Sequence, residues 1–336
     1  MTLNCLVVPL PITSLGRVGR RKGIRLGKRR LQHYNAMATN ETSTRPEVTW
    51  IPGSRYRGAI GSEPLAPSRE IGYRWRGLIG GRGERLRIGT VNVGTMKGRE
   101  GEVVEMMERR CLDFGCLQET RRKGRDGNCC EWMGEFKFFW SGCEEGGGGV
   151  GIMVARKWVD NVIRVERVSE RVMVVRVTVG KVILCVVSVY GPQVGRLMEE
   201  KEGFYVELGG VVDGIGEQEV VMVCGDLNGH VGEAAEGYEE VHGGKGFGVR
   251  NVEGEMALEF AVARDMIVAN TWFEKEETRK VSYDSGGNKT VVDYVLVRKG
   301  QRGVVRDVGV IGGEACIPQH RLMVCKLVLR EKARMK

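Results

Sequence analysis

Between Val172 and Tyr190 the chain runs VMVVRVTV, a Gly-Lys break, and then VILCVVSVY. Side chains branched at Cβ fit a pleated strand, and a run as long and uniformly apolar as KVILCVVSVY has to be buried on both faces. It is therefore read as a central strand of a covered sheet. Similar runs recur as RLRIGTVNV, CLQE, VGIMVA, VVMVCG, TVVDYVLV and RLMVCKLVL. Helical spacing is confined to EGEVVEMMERR, with Val103, Met106 and Met107 on one side, to a stretch from about Met198 to Val212, and to EMALEFAVARD. Roughly ten strands with about three helices predict an α/β (α+β) fold, a four-layered α/β sandwich of two packed, mostly antiparallel sheets flanked by helices. No fixed-period repeat occurs, which argues against a solenoid or propeller.

This pattern begins at Arg85. Before it the composition is different: RVGRRKGIRLGKRR, from Arg17 to Arg30, holds eight basic residues, and no acidic residue precedes Glu41. Residues 1–84 are expected to form a basic, largely disordered N-terminal extension, and residues 85–332 the folded domain. The extension carries fifteen Lys and Arg against five Glu, a net +10 in a chain of +9, so the remainder is nearly neutral at −1. The extension reads as a solvated tail, with a nuclear-localisation or nucleic-acid-binding arm and an organelle transit peptide as sharper alternatives. Nuclear or cytoplasmic localisation is expected. No apolar run reaches the ~20 residues needed to cross a bilayer, so no membrane partner is expected. Ten cysteines without a Cys-x-x-Cys pair read as reduced thiols rather than a disulfide framework or zinc site.

Polar residues at the ends of apolar strands are the candidates for chemistry, because a rigid sheet holds such ends around one point. Asn92 interrupts an apolar strand, Glu119 ends CLQE, and Tyr190 closes VILCVVSVY before Gly191 and Pro192. VVMVCGDLNGH delivers Asp226 and Asn228 into a Gly-flanked turn, where an Asp can orient or deprotonate water and an Asn can hold that water or a phosphate oxygen. Asp293 sits inside TVVDYVLV and requires a partner if buried; His320, before the last strand, is the candidate partner. Singly, each reads as a cap, an Asx-turn or a packing residue. The stretch EEGGGGVGIMV lacks the Gly-Lys-Ser/Thr and the helix of a phosphate loop and reads as a hairpin turn.

In order, GTVNVG, CLQET, VSVYGPQ, CGDLNGHVG, VVDYVLV and QHRLMVCKL resemble the endonuclease/exonuclease/phosphatase superfamily. More narrowly they are similar to the endonuclease domains of LINE-type retrotransposons and their craniofacial development protein 2-like relatives. The resemblance runs from about Arg85 to Leu329, some three quarters of the chain. It implies that Asn92 and Glu119 hold Mg²⁺, with Mn²⁺ as a substitute, and that Asp226 and Asn228 position and activate the attacking water. It further implies that Tyr190 contacts a phosphate oxygen, that His320 oriented by Asp293 stabilises the developing charge, and that Gln193 contacts phosphate. Two departures stand out. The family's Asn-x-Asp is Asn92-Val93-Gly94 here, and its Asp-His is Gln319-His320, so Gln319 offers a metal a neutral amide in place of a carboxylate.

The function so implied is a Mg²⁺-dependent phosphodiesterase, a DNA endonuclease using metal- and Asp-assisted water attack, with nucleic acid as its partner. The alternatives are a catalytically weakened nucleic-acid or chromatin-binding protein and a phosphatase or deadenylase of the same fold. No reverse-transcriptase segment follows the domain, and the expectation is an isolated nuclease module or a truncated element.

Overall fold

The computed structural model describes residues 83–312, 317 and 319–330. The expected basic extension lies, apart from its last two residues, outside them.

In chain order the strands are β1 (Glu84–Asn92), β2 (Phe114–Gln118), β3 (Cys130–Met133), β4 (Phe136–Ser141), β5 (Val150–Ala155), β6 (Val162–Arg167), β7 (Val172–Val179) and β8 (Val182–Tyr190). They continue as β9 (Val220–Asp226), β10 (Met266–Val268), β11 (Tyr283–Ser285), β12 (Asn288–Thr290), β13 (Asp293–Arg298), β14 (Val305–Val310) and β15 (Met323–Leu329). The α-helices are α1 (Glu100–Arg109), α2 (Arg156–Val159), α3 (Met198–Asp213) and α4 (Val252–Ala263). A seven-stranded sheet has the order β14-β15-β1-β2-β5-β4-β3, a six-stranded sheet β10-β13-β9-β8-β7-β6, and β11 and β12 form a separate hairpin. Among the described strand pairs only β1–β2 and β8–β9 are parallel; the other strand pairs are antiparallel.

The two sheets meet face to face. Ile88, Phe114 and Ile152 of the first and Val186, Met222 and Val295 of the second share one buried cluster. Each such side chain contributes roughly 1.5–3 kcal/mol when taken out of water. On the outer face of the first sheet Val103, Met106 and Met107 of α1 pack with Leu117, Phe138 and Met153, which is the apolar stripe that the helical spacing marks out. Behind the second sheet, β8 passes to the parallel β9 through α3, a crossover that lays the helix on the sheet. Val187, Val189, Val221 and Val223 alternate with the inter-sheet residues and are equally buried, so both faces of β8 and β9 are covered. Tyr205 of α3 meets Phe260 of α4 with ring centroids 5.5 Å apart. This is the predicted sandwich.

Several strands escape the sequence pattern. Strand β4 reads FKFFWS, whose aromatics do not alternate cleanly; β6 is an edge strand with mixed burial; β10, β11 and β12 are three residues each, too short to show a period. The EEGGGGVGIMV stretch is the expected turn, joining antiparallel β4 and β5.

A short polar chain fixes one sheet against the other. Thr90 Oγ1 donates to Gln118 Oε1 at 3.4 Å, Gln118 Nε2 to Ser188 Oγ at 3.3 Å, and Ser188 Oγ to the Leu117 carbonyl at 3.4 Å. Gln118 and Ser188 are fully buried, and they stand one and two residues before Glu119 and Tyr190. Eight cysteines are free thiols among the described residues, and no helix there is long and apolar enough to cross a membrane.

Candidate active site

Four strands end and one begins at the same edge of the sandwich. Asn92 closes β1, Glu119 follows β2, Tyr190 closes β8, Asp226 closes β9, and Asp293 opens β13. Parallel pairing sets Tyr190 beside Asp226, and antiparallel pairing sets Asp293 on the other side of Asp226. The strands alone therefore bring two carboxylates and a phenol into one row.

Asn92 bridges the two halves. Its Nδ2 donates to Glu119 Oε1 at 2.9 Å and to Asp226 Oδ2 at 3.1 Å, while its Oδ1 accepts from Gly94 N at 2.9 Å. Glu119 takes a left-handed conformation, φ 52°, and its Oε1 also accepts from Tyr190 OH at 2.8 Å. Left-handed backbone is costly for a residue with a Cβ and gathers at functional sites. Arg121, also left-handed, reaches Glu119 Oε2 at 3.3 Å. Burial works to raise the Glu119 pKa, but the hydrogen bonds from Asn92, Tyr190 and Arg121 outweigh it and hold the carboxylate below its ordinary value. Burial, then the Glu119 carboxylate, pushes the Tyr190 phenol far up, so it stays a donor.

His320 bridges the two aspartates. Its Nδ1 donates to Asp293 Oδ2 at 3.3 Å, and its Nε2 faces Asp226 Oδ2 at 3.8 Å. Burial works to lower the imidazole pKa, yet the charge of Asp293, its hydrogen bond and the charge of Asp226 lift it to about 9. Burial, then the charge of Asp293, pushes Asp226 up to about 7 against the pull of His320, Asn92 and the Asn228 amide. Near neutral pH the imidazole is thus charged and Asp226 is poised to exchange a proton. Tyr283 packs edge-on against the ring, with centroids 4.9 Å apart.

Asn228 stands in the cluster in an unforeseen way. It is left-handed at φ 50°, its backbone N caps Asp226 Oδ1 at 2.9 Å, and its Nδ2 donates to the Gly191 carbonyl at 2.9 Å. The amide nitrogen therefore ties the β8 exit to the β9 exit, leaving Oδ1 for a water. Gln193 Nε2 donates to Tyr190 OH at 3.3 Å. Gln319 stands apart. It is exposed, and its Nε2 donates to Ser285 Oγ at 3.3 Å, on the β11–β12 hairpin.

Two oxygen-rich donor sets suit a hard divalent cation. One is Glu119, held ionised, with Asn92. The other is the carboxylate pair Asp226 and Asp293, grouped with His320 within 4.8 Å, where the imidazolium itself has no lone pair to give a cation; it includes Asp293 Oδ1, buried with no hydrogen-bond partner. An orphaned carboxylate oxygen in a dry site is costly unless a cation or water takes it. The sequence reading put metal at the first set and at Gln319, and none at Asp226, Asp293 or His320.

Supporting residues were not legible from the sequence. Ser282 Oγ accepts from Val292 N at 3.1 Å and Asp293 N at 3.2 Å, pinning the start of β13. The Arg171 guanidinium lies 5.6 Å from the Tyr190 ring centroid. In the glycine-rich turn, Thr120 N donates to the Gly149 carbonyl at 3.1 Å and Arg121 N to the Gly148 carbonyl at 2.8 Å, which fixes the backbone around Glu119. A Cβ on Gly149, at φ +87°, would stand 2.8 Å from Thr120 Oγ1, so only glycine fits there. Each of these links depends on segments brought together by folding, and none has a local spacing signal.

No family model matches the chain. The structure shares its fold with the endonuclease domain of TRAS1, a telomere-specific non-LTR retrotransposon, with TM-score 0.55 at 14% identity over 74% of this chain and 100% of that one. It is also similar to the AP endonuclease LMAP from Leishmania major, TM-score 0.55 at 13% identity over 74% and 88%. The Xenopus laevis APE2 catalytic domain gives TM-score 0.54 at 14% identity over 74% and 94%. In sequence the chain is similar to craniofacial development protein 2 of Bos taurus, 25% identical over 281 residues, which is 78% of this chain and 46% of that protein. For the same protein of Tragulus javanicus the identity is 24% over 258 residues, 74% of this chain and 43% of that one. The chain thus spans under half the length of the curated relatives it matches.

Proposed function

We propose that this domain is a divalent-metal-dependent phosphodiester hydrolase that cuts DNA. The observation that carries this reading is the single edge at which Asn92, Glu119, Tyr190, Asp226, Asp293 and His320 interlock through hydrogen bonds and ion pairs of 2.8–3.8 Å. Neighbours of the same fold include AP endonucleases and a retrotransposon endonuclease, which supports a nucleic-acid substrate.

Asp226 accepts the proton of the attacking water, as a carboxylate poised near neutrality can, while Asn228 Oδ1 orients that water. The imidazolium of His320, held toward the site by Asp293, faces the negative charge that develops on the phosphoryl oxygens; donors fixed in advance stabilise such charge most effectively. Gln193 Nε2, which gives one proton to Tyr190 OH, presents its second as a further donor, while the Tyr190 hydroxyl holds the Glu119 carboxylate in place. Glu119 and Asn92 would hold Mg²⁺, or Mn²⁺ in its place, which when bound polarises the phosphoryl group and offsets its charge. The exposed Gln319 contributes no ligand to this set.

The test is nicking of supercoiled plasmid by the full chain in Mg²⁺ and in EDTA, with Glu119→Gln and His320→Ala alongside. Nicking that requires the metal and is lost in both variants is the expected result. A folded, DNA-binding protein that leaves the plasmid intact overturns the hydrolase and favours a binding module.

A further inference from the structure

Where β10 edges one sheet and β14 edges the other, a cleft of about 290 Å³ opens between residues 267–273 and 302–305. Small-molecule sites begin at about that size, ~300 Å³. Ile267, Ala269 and Val305, all buried in the core, line it together with the half-buried Trp272 and Phe273, so its interior is apolar. Of the lining residues only Arg302 is charged, and none belongs to the catalytic edge.

Both walls are fixed in advance. In the first, Asn270 Nδ2 donates to the Asp293 carbonyl at 2.9 Å, Asn270 Oδ1 accepts from Val295 N at 2.9 Å, and Thr271 Oγ1 donates to the Val268 carbonyl at 2.7 Å. In the second, Gln301 of the 3₁₀ turn Lys299–Val304 donates through Nε2 to the Glu219 carbonyl at 2.6 Å and accepts at Oε1 from Val221 N at 3.1 Å. A cleft between two pinned segments loses little freedom when it is filled.

Arg302 is exposed, and its guanidinium lies 3.8 Å from the Trp272 ring centroid. Trp272 is itself held, with Nε1 donating to the Val241 carbonyl at 3.4 Å and Gly243 so close that a Cβ there would stand 2.7 Å from Trp272 Cδ2. Stacking uses the flat face of a guanidinium and leaves its N–H donors, which lie in the plane, to other partners. Among the described residues the Arg302 guanidinium has no carboxylate partner and no hydrogen bond. Arg298, four positions earlier, differs: its guanidinium donates to the carbonyls of Gly216, Val212 and Ile215.

We propose that this cleft binds a small carboxylic acid, whose alkyl or aryl body fills the apolar interior and whose carboxylate takes the in-plane N–H pair of Arg302. Such pairing is bidentate and charge-assisted. The charges match one to one, since a single guanidinium beside apolar walls suits a monoanion and leaves the second charge of a phosphate unanswered. Two short segments supply the lining, which gives room for a ring or a short chain rather than an extended strand.

Titration of the full chain in EDTA with phenylbutyrate, and with the alcohol and the amine of the same skeleton, tests this by ligand-observed NMR and calorimetry. Wild type and His320→Ala are expected to bind the acid alike, and about tenfold more tightly than the alcohol or the amine, which is the worth of a hydrogen bond to a charged group. Arg302→Gln should lose that preference, and Arg302→Glu should turn it toward the amine; an exposed side chain without polar partners is replaceable without unfolding the domain. Phe273→Ala should weaken acid and alcohol alike. No saturable binding by the wild type, equal affinity for acid and alcohol, an acid preference that survives Arg302→Gln, or binding lost in His320→Ala overturns the proposal. None of these readouts depends on whether the domain cuts DNA.

Discussion

Replacing Asp226 by Asn should make the metal-free protein more stable as the pH rises, at the expense of the chemistry proposed for it. The folded Asp226 pKa is about 7 against 3.8 for an unperturbed Asp, because burial and Asp293 disfavour its charge. A folded value above the unfolded one means that this group's contribution is full below pH 3.8 and is lost as pH rises through about 7. Asparagine has nearly the same shape as the neutral acid and nothing to titrate. Between about pH 5 and about pH 8 the wild type crosses roughly two units of that window, worth about 3 kcal/mol at ~1.36 kcal/mol per unit. The variant, measured against wild type, should therefore gain about 3 kcal/mol over that interval; it also lacks the Asp226 charge that helps lift His320, so the imidazole contribution declines over a narrower range in the variant, which acts in the same direction. Urea unfolding followed by tryptophan fluorescence in EDTA at the two pH values measures this difference. A stability difference that does not change with pH, or a variant that loses ground at the higher pH, refutes the reasoning.

Lys201 is buried and donates to Glu253 Oε1 at 2.8 Å and to the Val194 carbonyl at 2.6 Å, so Lys201→Met should cost about 3–5 kcal/mol, most of it recovered by adding Glu253→Gln; denaturant midpoints of the single and double variants decide this, and equal losses count against it. Asp293→Asn removes the largest of the charges that lift His320, leaving burial opposed only by Asp226 and Glu119, so the imidazole pKa read by NMR in EDTA should fall below about 9. Gly149→Ala forces a Cβ to 2.8 Å from Thr120 Oγ1 at φ +87° and should cost about 1–3 kcal/mol by urea unfolding, with weaker metal-dependent nicking.

The sandwich was legible where burial on both faces leaves an uninterrupted apolar run, as in β8 and β9, and where a helix shows one stripe, as in α1. It was not legible in β3, β4 and β6, where one face is partly exposed and aromatic or charged side chains blur the period. The strand-end residues Asn92, Glu119, Tyr190 and Asp226 were nameable because a polar side chain closing an apolar strand is unusual on its own. How they are used was not. The Asn228 amide ties down Gly191, and the Gln319 side chain faces Ser285, because loop directions depend on partners distant in the chain. Ser282 and Arg171 acquire their importance only from residues 11 and 19 positions away.

The antiparallel register of β13 on β9 also sets where this protein can change length. Asp293 opens its strand opposite the residue that closes the neighbouring one, so a slip by one position turns its carboxylate to the other face and offers His320 an apolar neighbour. Insertions or deletions between Thr290 and Asp293 should therefore be purged, or be silent only as compensated pairs. The Gly286-Gly287 turn, left-handed at both positions, with open space where side chains would stand and one hydrogen bond from Gly287 N to Asp284 Oδ1 at 3.2 Å, can lengthen or shorten without that penalty. Length variation among descendants of this sequence, and linkers or tags inserted by design, belongs at that turn.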